Sequence, residues 1–526
     1  MRRVHWVLLL LACATLACAR SQPEVIVITA TFPPPDSAPA VTASITPAPA
    51  QPSPDSPLDQ PPASDAVVDQ PFAPALDVTA TPRTYTVREG DTLSGIAAAQ
   101  GVRMDNLIQI NDLANPDQLF VGQVLVLPAP PSAVGSDFQI LPDSRLVRGP
   151  GSAAFDIDAF IEQQPGYVRI ATDEVNDEIL TARAIIARVA LEYSVDARLL
   201  LALLEDRGGW LSNPTPDEAA TTYPLGAQAS PLGFDRDGLY RQLAWAADRL
   251  NLGYYTWKRG DLSIIEFDDG VRALYAQTLN AATAGVQYML SQFNDYDTWQ
   301  TQVSEAGLYA TYTQYFGDPF ADPRDPPLPP DLTQPPLVLP FAEGETWFYT
   351  GGPHGGWGSG SAWGAIDFAP PDDLETLTTS CYISDFFVTA VASGVIARVD
   401  EGTVILDLDG DGDESTGWSV LYLHIASQDR IAEGTVVAVG DRIGRPSCEG
   451  GFSTGTHVHI ARRYNGEWLP ADCTGCPPNY NPPPFTLGGW SVVGLRGQEY
   501  QGFLTRSDEQ RVAEQGREIV ENQVSW

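Results

Sequence analysis

The sequence predicts a multidomain chain: a small βααβ module, a mainly α middle domain and a mainly antiparallel β C-terminal domain. Three observations carry this. Two proline-rich stretches, residues 19–82 and 318–337, interrupt the 526 residues, and such segments serve as extended spacers rather than packed elements. Between them apolar residues recur with helical spacing, as in TARAIIARVALEYSVDARLLLALL over residues 181–204. Beyond residue 337 the spacing changes to alternation, as in WSVLYLHI over 418–425 and THVHI over 456–460, which is the period of a strand.

The first 18 residues carry Arg2 and Arg3 and then WVLLLLACATLAC, an apolar run too short to cross a bilayer and read as a secretory signal. Cys18 follows Leu16 and Ala17, which resembles a bacterial lipobox and implies a diacylated, membrane-anchoring cysteine. Cys13, after Leu10, Leu11 and Ala12, is a weaker alternative, and an ordinary signal with incidental cysteines is the bland one. Residues 19–82 are then a disordered spacer that holds the folded domains away from the membrane, and the expected location is the bacterial cell envelope, outside the cytoplasm. A net charge of −37 excludes nucleic acid as a partner and electrostatic attraction to anionic lipid. Removal of the signal at Cys18 leaves four further cysteines, Cys381, Cys448, Cys473 and Cys476, an even number that suits disulfides in an oxidising compartment. Cys473 and Cys476 form a lone CxxC followed by Pro477 and Pro478, read as a stapled loop rather than a redox or zinc-ribbon site.

Residues 83–129 predict a strand at Tyr85 to Val87, a turn at Gly90 and a helix capped near Asp91 or Thr92 with Leu93 and Ile96 inward. A second helix should present Leu107, Ile108 and Ile110, before a closing strand from Val124 to Leu127. With its GDTL turn, INDL helix end and VGQVLVLP strand, the segment resembles a LysM module over its whole length. That resemblance implies binding of N-acetylglucosamine-containing glycan, as in peptidoglycan, through Gly90, Asp91, Thr92 and the loop before Leu119; a purely structural module is the competing reading.

Residues 138–317 carry the helical pattern, and VDARLLLALL resembles the opening of a lysozyme-like lytic transglycosylase domain. The expected Glu-Ser pair is replaced by Arg207 and Gly208, while Glu205 and Asp206 fall one or two positions early, on another part of the helix. A substrate-binding or structural relic is expected, since a glycosidase needs a positioned acid. Trp245, Tyr254, Tyr255 and Trp257 suit sugar stacking and core packing equally.

Residues 338–490 hold every histidine outside the signal: His354, His424, His457 and His459. On a strand, His457 and His459 share a face while Val458 and Ile460 take the other. In WSVLYLHI the same alternation puts His424 with Val420 and Tyr422, opposite Leu421, Leu423 and Ile425. His354 stands in a glycine-rich stretch thirteen residues before Asp367, a span that lets the chain leave a site and return. His354, Asp367 and one histidine of the HVH pair can supply three ligands to a zinc ion with an open position, whose bound water has a pKa of about 7. The two remaining histidines would handle protons or stabilise an oxyanion. Each histidine alone is more often a satisfied core or surface residue, but four gathered beside one Asp, without a cysteine cluster, fit a closed structural zinc site poorly.

GGPH, the IDF that follows, the YLH strand and CEGGFSTGTHVHIARRYNGEW resemble the beta-lytic and staphylolysin branch of the lysostaphin-type zinc endopeptidases, over residues 340–485. The resemblance implies an antiparallel β core and one zinc ion held by His354, Asp367 and His459, with His424 and His457 as the catalytic pair. The implied reaction is hydrolysis of peptidoglycan cross-link peptides, often beside glycine. Asn465 and Gly466 fit a two-residue hairpin turn. The upstream cysteine that pairs with the CEGG cysteine in the family is missing here, and Cys381 is the nearest substitute for a bond to Cys448. Asp407, Asp409, Asp411 and Gly412 match the first half of a calcium-binding EF-hand loop, but Trp418 stands where the bidentate Glu belongs, so a Ca2+ site and an acidic hairpin tip both remain. Residues 491–526 form a C-terminal extension of unassigned role. The reading as a whole is a LysM-targeted, lipid-anchored wall endopeptidase. Its rivals are a non-catalytic envelope protein that activates another hydrolase and a protease of glycine-rich proteins.

Overall fold

Strands whose two faces are both apolar must lie between two layers, and the last third of the chain has several. Every residue of Thr403–Asp407 is buried, as are five of the six in Trp418–Leu423. The computed structural model describes residues 83–526 apart from 89, 101, 103, 112, 114–118, 129–130, 229–234, 268, 326, 374–378 and 518. The signal segment 1–18, Cys18 and the spacer 19–82 lie outside the described residues.

The central sheet is antiparallel throughout. Its strand order is Val436–Val437, Gly394–Asp400, Thr403–Asp407, Trp418–Leu423, Val458–Tyr464, Ala365–Ala369, Thr346–His354 and Gln523–Ser525, with Glu467–Trp468 as a hairpin partner of Val458–Tyr464. Asn465 and Gly466, both at positive φ, make that hairpin's turn as predicted. One face, with Phe368, Val404, Leu406, Val420, Tyr422, Val458 and Ile460, packs in a core with Trp490, Val492 and Leu504 of a second, four-stranded sheet. The other face, with Ala365, Ile405, Leu421, Leu423, Ala461 and Trp468, is continuous with the core of the helical region.

That helical region is built on α1 (Ala182–Tyr193), α2 (Ala197–Gly208), α3 (Leu239–Lys258), α4 (Ala281–Ser291) and α5 (Leu308–Phe316), with shorter helices and strands between them. Thr181 and Asp196 cap α1 and α2 through side-chain oxygens that accept from Ala184 N and Arg198 N. Tyr254 and Tyr255 of α3 are wholly buried, so core packing accounts for them.

The helical region meets the sheet through polar as well as apolar contacts. The only lysine, Lys258, pairs with the buried Glu467, Trp468 N donates to Tyr255 Oη at 2.9 Å, and Ser194 Oγ donates to Gly466 O at 2.6 Å. The second proline-rich stretch is docked rather than free, because its own polar groups find partners. Asp325 accepts from the backbone N–H groups of Asp143 and Ser144, and Leu328 packs with Leu469 and Tyr480. The C-terminal extension is structural too: Gln523–Ser525 pairs with Thr346–Phe348 at the sheet edge, and Trp526 Nε1 donates to Phe341 O at 2.9 Å.

In the N-terminal module Thr84–Thr86 pairs antiparallel with Val124–Val126 around two helices, Leu93–Gln100 and Met104–Ile110. Its core gathers Val87, Leu93, Ile96, Leu107, Leu125 and Leu127, while Ile110, expected inside, is 47% exposed at the helix end. Gly90 turns at φ 85°, Asp91 accepts from Arg88 N and Tyr85 Oη, and Thr92 caps the first helix by accepting from Gly95 N. Among the described residues no helix is long and apolar enough to cross a membrane.

Candidate metal centre

Strand register assembles the site. His459 lies opposite Leu423 on one side and Asp367 on the other, and Asp367 lies opposite Gly351. Val458 and Ile460 point into the sheet's inner core, so His457 and His459 emerge on the face that carries Ala461, as alternation predicts. A Cβ on residue 351 would stand 2.3 Å from Asp367 Oδ2, so only glycine leaves that carboxylate its place.

Two local readings are corrected. His354 ends the strand Thr346–His354 rather than standing in a loop; register shifts between Tyr349 and His354 carry the strand through its glycines. His424 is not a strand histidine. The strand ends at Leu423, and His424 takes φ 65°, a left-handed conformation rare for a side-chain-bearing residue. The kink changes the phase of the alternation, so Ile425 joins the core of Val420 and Tyr422 rather than the face of Leu421 and Leu423.

All four histidines use one ring N–H on a backbone carbonyl. His354 Nδ1 donates to Gly352 O at 2.8 Å and His459 Nε2 to Gly356 O at 3.0 Å, while Nδ1 of His424 and His457 donate to Glu449 O at 2.9 Å and Gly455 O at 2.7 Å. Each ring therefore turns its other nitrogen inward as a lone pair. His354 Nε2 and His459 Nδ1 stand 2.9 Å apart, and each lies 3.3 Å from Asp367 Oδ1, a buried oxygen with no donor of its own. Three acceptors facing one another repel unless a cation sits among them. Tetrahedral zinc with bonds of about 2.0–2.1 Å sets its ligand atoms roughly 3.3 Å apart, so the spacing and the N,N,O donor set fit that ion.

Burial pushes the Asp367 carboxyl up, but His354, His457 and His459 outweigh it and hold the group well below the ordinary carboxylate range. Burial, then the neighbouring imidazoles of His457 and His459, lowers His424 to about 3, which keeps it a neutral acceptor. His457 Nε2 lies 3.6 Å from Asp367 Oδ1, and the His424 and His457 rings are 4.6 Å apart.

The site opens into a cleft of about 1020 Å³. The Cys381–Cys448 disulfide ties together two segments that line it, residues 379–382 and 450–457, and Thr456 N donates between them to Ser380 O at 2.9 Å. Cys473 and Cys476 also form a disulfide. Sequence reasoning missed several cleft residues. Tyr500, at φ 64°, stacks on His354 at 4.3 Å; Trp357 and the helical region's Tyr193 line one wall; and Arg517 lines the cleft from the extension. It also missed Asp248 of α3, whose carboxylate accepts from Gly360 N and Ser359 Oγ, each at 2.8 Å, and so pins the loop that bears Gly356. A single acid among the apolar residues of a helix was the available signal.

Other candidates lie elsewhere. Glu205 accepts from Leu211 N at 2.8 Å, Ser212 N at 3.1 Å and Tyr315 Oη at 2.9 Å, a chain-tying role, and Asp206 accepts from Thr311 Oγ1 at 3.2 Å. Asp407, Asp409 and Asp411 bring carboxylate oxygens within 4.8 Å of one another, but Asp407 Oδ2 already accepts from Gly410 N and Gly412 N, and Trp418 starts the next strand.

Residues 85–128 match the LysM domain family and residues 139–328 match the family described as "LasA, N-terminal domain". That match gives the helical region a different kinship from the lysozyme-like one its first helices suggest. Protease LasA from Pseudomonas aeruginosa is 24% identical over 350 residues, 62% of this chain and 74% of the relative. N-acetylmuramoyl-L-alanine amidase XlyA from Bacillus subtilis is 43% identical over 61 residues, 12% of this chain and 20% of the amidase. Among solved structures, the deep-sea M23 metalloprotease Pseudoalterin overlaps 34% of this chain and 96% of its own at 23% identity, with a TM-score of 0.27.

Proposed function

We propose that this chain, a LysM-containing metallopeptidase of the lysostaphin type, cuts peptide cross-links of peptidoglycan with one bound zinc ion. The observation that carries the reading is the trio of facing acceptors at His354, Asp367 and His459, with the inward lone pairs of His424 and His457 beside it. His354, Asp367 and His459 hold the ion. Zinc, when bound, supplies a Lewis acid that acidifies water and polarises a peptide carbonyl. His424 and His457 take up the proton of the attacking water, return a proton to the departing amine nitrogen and hydrogen-bond the carbonyl oxygen as its charge grows.

The module at 83–129 holds glycan through the turn at Gly90, Asp91 and Thr92 and raises the local concentration of wall peptide. Cys18 is the lipid attachment point and residues 19–82 the tether. The acidic loop at Asp407, Asp409 and Asp411 closes on its own backbone donors as a hairpin tip, and a Ca2+ site on its three carboxylates is the alternative reading.

The test incubates the full chain with purified peptidoglycan and, separately, with a soluble glycine-rich polypeptide, and counts new amino termini. Release from the wall that stops with a chelator and returns with zinc is the expected result. Cleavage confined to the soluble polypeptide would favour a protease of glycine-rich proteins, and release from neither would favour the non-catalytic reading.

A further inference from the structure

The cleft contains one cationic side chain that the metal chemistry does not use. Among its described lining residues Arg517 is the only arginine or lysine. It reaches the cleft from the C-terminal extension, donating from Nη1 to Tyr382 Oη and from Nη2 to Thr456 O at 2.8 Å, with its guanidinium 5.6 Å from the Tyr382 ring centre. Both acceptors are neutral. Among the described residues Arg517 forms no ion pair, whereas Arg398 and Arg463 converge on Glu414 and Arg445 meets Asp429.

A guanidinium has five N–H donors in a planar fork. Two anchoring bonds fix the fork of Arg517 and leave its other donors free of partners among the described residues. The anchor at Thr456 is one residue from His457 in sequence, and Thr456, His457 and Arg517 all line the same cleft. In a chain of net charge −37, the surrounding field repels anionic ligands, and a fixed guanidinium among the described lining residues of the cleft is a place where a carboxylate can be held, with Asp372 one hydrogen bond removed through Tyr382 Oη at 3.1 Å.

We propose that Arg517 is a specificity-determining residue that receives a carboxylate of the bound peptide, an acidic side chain or a free C-terminus near the scissile bond. This rests on the peptidase reading for its substrate class but not for its test. The carboxylate meets the fork of Arg517 in two N–H···O bonds, and an amidated peptide of the same shape forfeits the charge-assisted pair.

The probe is a panel of glycine hexapeptides in which a single Glu or Gln walks through the six positions, with free and amidated C-termini. Calorimetry measures their binding to zinc-loaded full chain in the His424→Ala background, with and without Arg517→Gln or Arg517→Lys, and turnover is followed in parallel with His424 intact. One or two positions should bind Glu at least tenfold tighter than Gln. Arg517→Gln should bring that ratio within twofold, and Arg517→Lys should keep part of it. No Glu preference at any position, a preference that survives Arg517→Gln, or an equal loss for Glu and Gln peptides would overturn the proposal. A carboxylate preference that depends on Arg517 in a chain that cleaves no peptide would sustain this inference and sink the peptidase reading instead.

Discussion

Gly351→Ala probes the metal centre with one methyl group. The new Cβ would lie 2.3 Å from Asp367 Oδ2, about 0.7 Å inside the 3.0 Å that real Cβ atoms essentially never cross. Neither group can yield cheaply, because the 351 backbone is paired with Asp367 in the sheet and Asp367 is buried. Metal sites tolerate ligand displacements of about 0.2 Å, so a shift of this size should weaken zinc binding by at least about tenfold, roughly 1.4 kcal/mol. Overpacking should also lower stability by about 1–3 kcal/mol. Zinc affinity is read by competition with a chromophoric chelator, and stability by urea unfolding with and without zinc. The zinc-dependent part of the stability should shrink in the variant. Zinc affinity within twofold of wild type would refute the reasoning, since it would mean that Asp367 holds no metal where the structure places it.

Glu414 lies buried between Arg398 and Arg463. Burial raises its carboxyl, but the charges of Arg463 and Arg398 bring it down to about 2 from an ordinary 4.5. A depressed carboxyl stabilises the fold above its unfolded pKa, by about 3 kcal/mol here, and that stability is lost as pH falls from about 4.5 through about 2. Glu414→Gln should cost about 3–5 kcal/mol at pH 7 and flatten urea-unfolding stability across that acid window; an unchanged slope would contradict the assignment. Asp248→Ala should free the loop of Gly360 and weaken zinc binding about tenfold through the lost support of Gly356, which the same chelator competition measures. Glu205→Ala should cost about 1–3 kcal/mol of stability by stranding the N–H groups of Leu211 and Ser212. It should not change reducing-end release from glycan, and a loss of such release at unchanged stability would reinstate a catalytic acid in the helical region.

The residues of the site were legible in the sequence where local rules decide their direction. Alternation alone sets His457 and His459 on one face, because Val458 and Ile460 must take the other. The resemblance decided between His457 and His459 as the ligand beside Asp367, which sequence spacing could not do; the register of two strands distant in sequence but paired in the sheet sets Asp367 opposite His459. His424 was misread because the alternation ends one residue early, at a left-handed kink that no glycine advertises. Both faces of WSVLYL are apolar, a sign of burial on two sides, yet what covers the second face is a helical region some two hundred residues away in sequence. Arg517 was illegible for the same reason, and Asp248 showed only as the single acid of its helix, with no hint of what it holds. Their roles come from contacts with Thr456 and Gly360, 61 and 112 residues distant.

The central claim is that His354, Asp367 and His459 hold one zinc ion that the chain needs to cut wall peptide. It is tested most directly by assaying zinc per chain and release of peptide termini from peptidoglycan for the full chain and for His459→Ala, side by side. The account predicts about one zinc and clear release for the wild type, with both lost in a variant that remains folded. A wild type without zinc, or a His459→Ala chain that keeps its zinc and cuts as well as wild type, would contradict it.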